Sequence, residues 1–216
     1  MKIVVFGREG KVGSNLIPHL EEAGHSVLGL EIGEDPDIAG HDAAIDFTSP
    51  SAVHANMRKA LDAAVPCLVG TSGLSDDALA DLDTAARASG VPCLVVPNFA
   101  IGAVLMMRFA EAAAPYFDGV EVIELHHETK VDAPSGTAKA TAERLGGHVP
   151  VHSVRLPGLI AHQEVILGTS GQTLTIRHDT SSRDAFAPGV LLALEGLAKL
   201  APGVSHGLDA ILDAPG

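Results

Sequence analysis

The N-terminal half alternates short apolar runs with amphipathic stretches, and nothing else in this 216-residue chain constrains its fold as much. Residues 2–6, 26–30, 43–47, 66–69 and 92–96 are too short and too uniformly apolar for helices and read as strands. Between them, residues 12–22, 51–64 and 75–88 read as helices. In the first helix Val12, Leu16, Ile17 and Leu20 share one face. Ser75 is a good N-cap for the third, and Asp76 and Asp77 in its first turn complement the helix dipole. Short buried strands separated by helices imply a parallel sheet covered on both faces, and right-handed crossovers make it doubly wound, a Rossmann-like α/β domain.

The second half changes character. After a helix at 101–114, strands are expected at 120–125, 151–156, 164–167 and 172–178, with a helix at 138–145. Gly168-Thr169-Ser170-Gly171 is a natural hairpin connection, so this smaller α+β domain should carry a mostly antiparallel sheet. An apolar helix at 189–200 is expected to return to the first domain. There is no internal repeat and no low-complexity linker. The expected division is therefore a first domain at 1–98 and 186–216, and a second at 99–185. Tight junctions near 98–102 and 182–188 would join them, with Gly102 and Gly189 absorbing dihedral change as the domains close.

Charge narrows the partners. Fourteen Lys and Arg against twenty-seven Asp and Glu give a net charge of −13. That field repels polyanions and argues against a nucleic-acid or anionic-membrane partner. With no Trp and one Tyr (Tyr116), the chain also lacks stacking platforms for single strands. Cys67 and Cys93 sit in apolar runs and read as buried, reduced thiols. No apolar run approaches the ~18 residues of a membrane span, and the N-terminal run meets Gly7 too soon for a signal peptide. A cytoplasmic protein is expected.

Gly7-Arg8-Glu9-Gly10-Lys11-Val12-Gly13 follows the first strand and opens the first helix. A turn without side chains lets backbone N–H groups and the helix dipole meet a pyrophosphate. The spacing is G-x-x-G-x-x-G, so the motif gains its weight from its setting. Glu31, at the end of the second strand, stands where a ribose-binding carboxylate is expected. Arg8 and Lys11 could meet a 2′-phosphate, which leaves NADH and NADPH both open. Gly70-Thr71-Ser72 and Val96-Pro97-Asn98-Phe99 lie at the C-terminal ends of later strands, the edge where open α/β sheets bind ligands.

The densest polar cluster runs from His126 to Thr137. His126 and Lys130 fall on one face whether the segment is extended or one helical turn, and two proton carriers on one side of a cleft suit acid–base work. Ser135-Gly136-Thr137 opens a helix and presents N–H groups to an anion such as a carboxylate. Packed histidines, a solvated lysine and a simple N-cap form the plainer alternative, but it must explain all of these groups within one short segment. No metal is expected, because adjacent His126 and His127 point to opposite sides of a strand and no ligand spacing recurs.

With those residues in view the chain resembles the dihydrodipicolinate reductase family. The resemblance runs nearly end to end: Gly7–Gly13, Asp46-Phe47-Thr48, Gly70-Thr71-Ser72-Gly73, Pro97-Asn98-Phe99-Ala100-Ile101-Gly102, Glu124 to Thr137, and Ser182-Arg183 through Gly189. The stretch Glu-x-His-His-x-x-Lys-x-Asp-Ala-Pro-Ser-Gly-Thr is its most specific part. The resemblance implies hydride transfer from NADH or NADPH to a cyclic unsaturated dicarboxylate with loss of water, in lysine and diaminopimelate biosynthesis. By position it makes His126 the catalytic histidine and Lys130 the proton donor, with His127, Gly136 and Thr137 holding substrate carboxylates. It assigns cofactor contacts to Gly7–Val12, Gly70–Ser72 and Val96–Phe99, and implies a homotetramer built through the second domain's sheets. The chain departs from the family in being short near 146–150, and Glu31 needs a small gap to reach the family's acidic position, where Gly33 would otherwise stand. A same-fold imine reductase acting on another carboxylate, and a non-catalytic NAD(P)-binding sensor, are the alternatives; a broken His126/Lys130 pair would mark the sensor, and here the pair is whole.

Overall fold

The computed structural model describes residues 1–213 and divides into two compact units: Met1–Phe99 with the chain from Phe186 onward, and Ala100–Ala185. In chain order the first stretch is β1 (Lys2–Phe6), α1 (Gly13–Glu22), β2 (Ser26–Leu30), β3 (Ala43–Asp46), α2 (Val53–Asp62), β4 (Cys67–Val69), α3 (Asp76–Ser89) and β5 (Pro92–Val95). Next come α4 (Ile101–Ala113), β6 (Gly119–His126), α5 (Gly136–Arg144), β7 (Val151–Arg155), β8 (Ala161–Thr169) and β9 (Gln172–Thr180). The chain returns to the first unit as α6 (Ala187–Leu197), β10 (Gly203–His206) and α7 (Asp209–Leu212).

The first unit is a six-stranded parallel sheet in the order β10-β5-β4-β3-β1-β2, the Rossmann-like arrangement expected. Four of the five β1 residues are buried, because helices cover both faces and no polar alternation is tolerated. Strand order reverses at β1, with β2 on one side and β3 on the other. The crevice beyond the C-terminal ends of strands at such a reversal is the ligand-binding position of open α/β sheets. Ser75 caps α3 by accepting the Ala78 N–H at 3.2 Å, with Asp76 and Asp77 in the first turn. Periodicity does not announce β10. It is Gly-Val-Ser-His, and pairing with β5 and a 2.8 Å hydrogen bond from the Val204 N–H to Asp83 hold it as a strand. Cys67 and Cys93 are register partners on β4 and β5, buried and free, and burial pushes the Cys67 thiol up.

The second unit is a four-stranded sheet, β7-β6-β8-β9. The β6–β8 and β8–β9 pairs are antiparallel, whereas β7 runs parallel to β6, so α5 serves as the crossover that a parallel neighbour requires. β8 and β9 extend further than apolar character alone suggests, and their turn shrinks to Ser170-Gly171, with Gly171 at φ +84°. The Ala133–Pro134 peptide is cis.

Gly102 and Gly189 both lie inside helices. Gly102 lies within α4, where a Cβ would stand 2.7 Å from His178 Nδ1; Gly189 lies within α6, where a Cβ would stand 1.9 Å from the Phe99 carbonyl oxygen. A side chain at either position would collide within its own unit. Among the described residues no helix is long and apolar enough to cross a membrane.

Candidate active site

In the first unit β1 delivers the chain to Gly7, whose N–H donates to the Leu30 carbonyl at 2.8 Å and whose φ is +88°. Gly10 closes the turn by donating to the Gly7 carbonyl at 3.1 Å. α1 begins so close behind that a Cβ on Gly13 would stand 2.0 Å from Gly7 O. This is a bare backbone cradle at a helix start, and it fits a dinucleotide pyrophosphate. Lys11 is exposed on the turn and Val12 is half-buried.

The side chains of the turn are engaged locally. Arg8 makes paired hydrogen bonds of 3.0 and 3.1 Å to Glu34 and a third, 3.0 Å, to the Gly29 carbonyl. Glu31 accepts the Glu9 N–H at 2.6 Å, and its own N–H donates to Glu34 at 2.8 Å. Beside them a cavity of about 150 Å³ is walled by Phe6, Leu30, Ile32 and Ala52, with Glu31 and Glu34 as its acidic residues.

One buried carboxylate organises the neighbouring loops. Asp46, at the end of β3, is fully buried and accepts the Thr48 N–H (2.9 Å), the Thr48 hydroxyl (2.8 Å), the Thr71 hydroxyl (2.6 Å) and the Asn56 amide (2.8 Å). Gly70 donates to the Asp46 carbonyl at 2.9 Å, and a Cβ on Gly70 would meet the Phe47 ring at 2.0 Å. Phe47 in turn tilts against Phe99, with ring centroids 5.5 Å apart. Val96 is buried and hydrogen-bonded to β4, Ser72 and Pro97 are exposed, and Asn98 is half-buried. These loops stand together at the C-terminal edge of the sheet. Sequence reasoning named Thr71 but missed that Asp46 orders it.

In the second unit β6 carries two ionisable groups inward, and Glu124 is the one that sequence reasoning left without a role. It is fully buried and accepts paired hydrogen bonds from Arg155 at 2.7 and 2.8 Å. It lies 2.5 Å from His126 Nδ1, and the Ser135 N–H donates to it at 3.3 Å. Burial alone would raise its pKa; hydrogen bonds from Arg155, Ser153 and His126 outweigh that and hold it at about 2. A carboxylate only accepts, so His126 Nδ1 carries the proton and Nε2 is left with its lone pair. Burial lowers the His126 pKa against the opposing pull of Glu124, and the charges of Lys130 and Arg155 lower it further. Imidazole is therefore the resting form.

Lys130 follows a turn in which its N–H donates to the His127 carbonyl at 3.1 Å. Its ammonium meets Asp132 at 2.8 Å, and the Asp132 pKa is lowered, chiefly by that hydrogen bond. Arg155 ties this turn to the strand through the Asp132 carbonyl (2.7 Å) and the Lys130 carbonyl (3.3 Å). His127 points elsewhere, to the Thr129 hydroxyl at 2.7 Å. Ser135 caps α5 by accepting the Ala138 N–H at 3.2 Å, which puts Gly136 and Thr137 in the first turn of the helix.

A glycine cradle at the reversal of a parallel sheet is suited to a dinucleotide, and an imidazole whose tautomer a carboxylate fixes is suited to proton transfer. Together they define an NAD(P)H-dependent oxidoreductase. Comparison with known proteins gives the family. Models described as "Dihydrodipicolinate reductase, N-terminus" and "Dihydrodipicolinate reductase, C-terminus" match residues 29–99 and 102–212, and the chain belongs to that family. It is 41% identical to the 4-hydroxy-tetrahydrodipicolinate reductase of Mycolicibacterium vanbaalenii, covering 99% of each chain, and 41% identical to that of Cutibacterium acnes, covering 98% of each. A dipicolinate-bound dihydrodipicolinate reductase from Paenisporosarcina sp. TG-14 superposes with a TM-score of 0.85 at 31% identity, covering 97% of this chain and 98% of that one. An amine dehydrogenase from Mycobacterium smegmatis, at 11% identity and a TM-score of 0.73, shares the fold.

Proposed function

We propose that this protein is a 4-hydroxy-tetrahydrodipicolinate reductase in which His126 and Lys130 carry the proton transfers. The observation that carries the reading is His126 itself, a ring pinned through Nδ1 by Glu124 and close enough to Lys130 to feel its charge. A reduced nicotinamide, when bound, supplies the hydride. Gly7, Arg8, Glu9, Gly10, Lys11, Val12 and Glu31 would hold the adenosine and pyrophosphate end, and Gly70, Thr71, Ser72, Val96, Pro97, Asn98 and Phe99 the nicotinamide end. His127 and the first turn of α5 at Gly136 and Thr137 would hold the substrate carboxylates.

Loss of water from the hydroxylated ring needs a base for a ring proton and an acid for the departing hydroxyl. The bare Nε2 of His126 suits the first and the Lys130 ammonium the second. After hydride adds, the imidazolium returns its proton to the adjacent carbon, so the cycle consumes one proton, through Lys130. Reduced Cys67 and Cys93 fit a cytoplasmic setting. A homotetramer through the second unit's sheet is the assembly proposed, in keeping with the exposed residues along β9, Leu174 among them.

The test is oxidation of NADH and NADPH in the presence of enzymatically generated 4-hydroxy-tetrahydrodipicolinate. Turnover with wild type and its loss in His126→Gln support the assignment. Dinucleotide binding without turnover on this substrate would point to another carboxylate or to a sensor.

A further inference from the structure

The glycine turn holds two cations, Arg8 and Lys11, yet neither lines the adjoining cavity; the ionisable residues that do are Glu31 and Glu34. We propose that Glu34 sets the dinucleotide preference of this unit toward NADH by withholding Arg8 from a 2′-phosphate. The proposal rests on the reading of this unit as the cofactor domain.

The geometry is specific. The two nitrogens of the Arg8 fork face the two Glu34 oxygens at 3.0 and 3.1 Å, and Nη1 also donates to the Gly29 carbonyl at 3.0 Å. Paired bonds of this kind are the form in which arginine would grip a phosphate, so the grip is already taken. Glu34 is fixed from behind by the Glu31 N–H at 2.8 Å. That bond leads the influences that lower the Glu34 pKa, and the Arg8 charge and hydrogen bond act in the same direction. Glu31 is held in turn against the Glu9 N–H at 2.6 Å. A dinucleotide seated on the cradle would bring its adenosine ribose toward this rim. A ribose hydroxyl can donate to a carboxylate, whereas a 2′-phosphate brings about −2 charge against two carboxylates and finds its arginine occupied.

Glu34→Gln tests this, because a glutamine oxygen can still accept the Glu31 N–H while its neutral amide no longer holds the guanidinium. Dissociation constants for NADH and NADPH are measured by calorimetry on the full chain, with circular dichroism confirming the fold. Wild type should favour NADH by about tenfold or more, and Glu34→Gln should narrow that ratio about tenfold through tighter NADPH binding that weakens steeply with salt. Adding Arg8→Gln should cancel the gain, and Arg8→Gln alone should not improve NADPH binding. Equal affinities in wild type, an unchanged ratio in Glu34→Gln, or a gain that survives without Arg8 would each overturn the proposal. Failure of wild type to bind either dinucleotide would instead overturn the reading beneath it.

Discussion

Glu124 and Arg155 lie 31 residues apart in sequence and meet through two hydrogen bonds of 2.7 and 2.8 Å, one oxygen to each nitrogen. The pair joins adjacent parallel strands, and the same carboxylate holds His126. Arg155→Ala would leave a buried carboxylate without its counter-ion and should cost about 3–5 kcal/mol. Arg155→Lys should recover part of that, since an ammonium cannot reproduce the fork. Urea unfolding monitored by circular dichroism measures both, and a loss near zero for Arg155→Ala would show that the pair is not under strain from burial.

Lys130→Ala should lower kcat by roughly 10²–10⁴-fold, the usual worth of a positioned acid, and leave NADH affinity nearly unchanged. The residual activity should also shift in pH. The Lys130 charge helps depress the His126 pKa, so its removal should move the acid limb of kcat/KM to higher pH. Glu124→Gln removes an influence that raises the His126 pKa, and should move that limb to lower pH. Opposite shifts in the two variants are the signature; parallel shifts would contradict the arrangement.

Acid should unfold the protein through the same groups. The Glu124 pKa is about 2 against an ordinary 4.5, so its stabilisation is complete above about pH 4.5 and is lost as pH falls toward 2. That loss amounts to about 3 kcal/mol. His126, lowered from 6.5, acts in the same direction from about pH 6.5 downward, because the unfolded chain takes up its proton first. Denaturant midpoints measured from pH 7 to 2.5 should fall across both windows. In Glu124→Gln the lower window should flatten.

Asp46 accepts from Thr48, Asn56 and Thr71 with both its oxygens. Asp46→Asn puts an amide donor where donors already converge, so the loops after β3 and β4 should lose their order. The expected result is NADH affinity weakened by about tenfold or more, with stability lowered by about 1–3 kcal/mol. Fluorescence titration and thermal unfolding separate the two effects.

The strand–helix alternation was legible because burial on both faces of a parallel sheet leaves no room for polar residues, as β1 shows. β10 was not, since Gly203 to His206 has no apolar signature and is made a strand by β5 and Asp83. His126, Lys130, Ser135 and Gly136 could be read together because they are near neighbours in sequence. Glu124, Arg155 and Asp46 could not be assigned roles that way. Their meaning lies in partners brought from distant segments, and spacing within one segment carries no trace of a bond between strands. Arg8 was read as available for a phosphate for the same reason: its engagement by Glu34 depends on β2 lying beside β1.

β6 and β7 run parallel, and no tight turn can join parallel neighbours. The chain has to travel back along the sheet before β7 can begin, a detour with a floor on its length and no ceiling. Residues gained at 148–149, between the end of α5 and the Pro150 carbonyl that accepts the Val122 N–H at 2.9 Å, would change the detour and leave in place the register that sets His126 opposite Arg155. The stretch after α5 is thus the natural splice point of this protein, the place where a peptide or a label could be grafted while His126 and Arg155 keep their register.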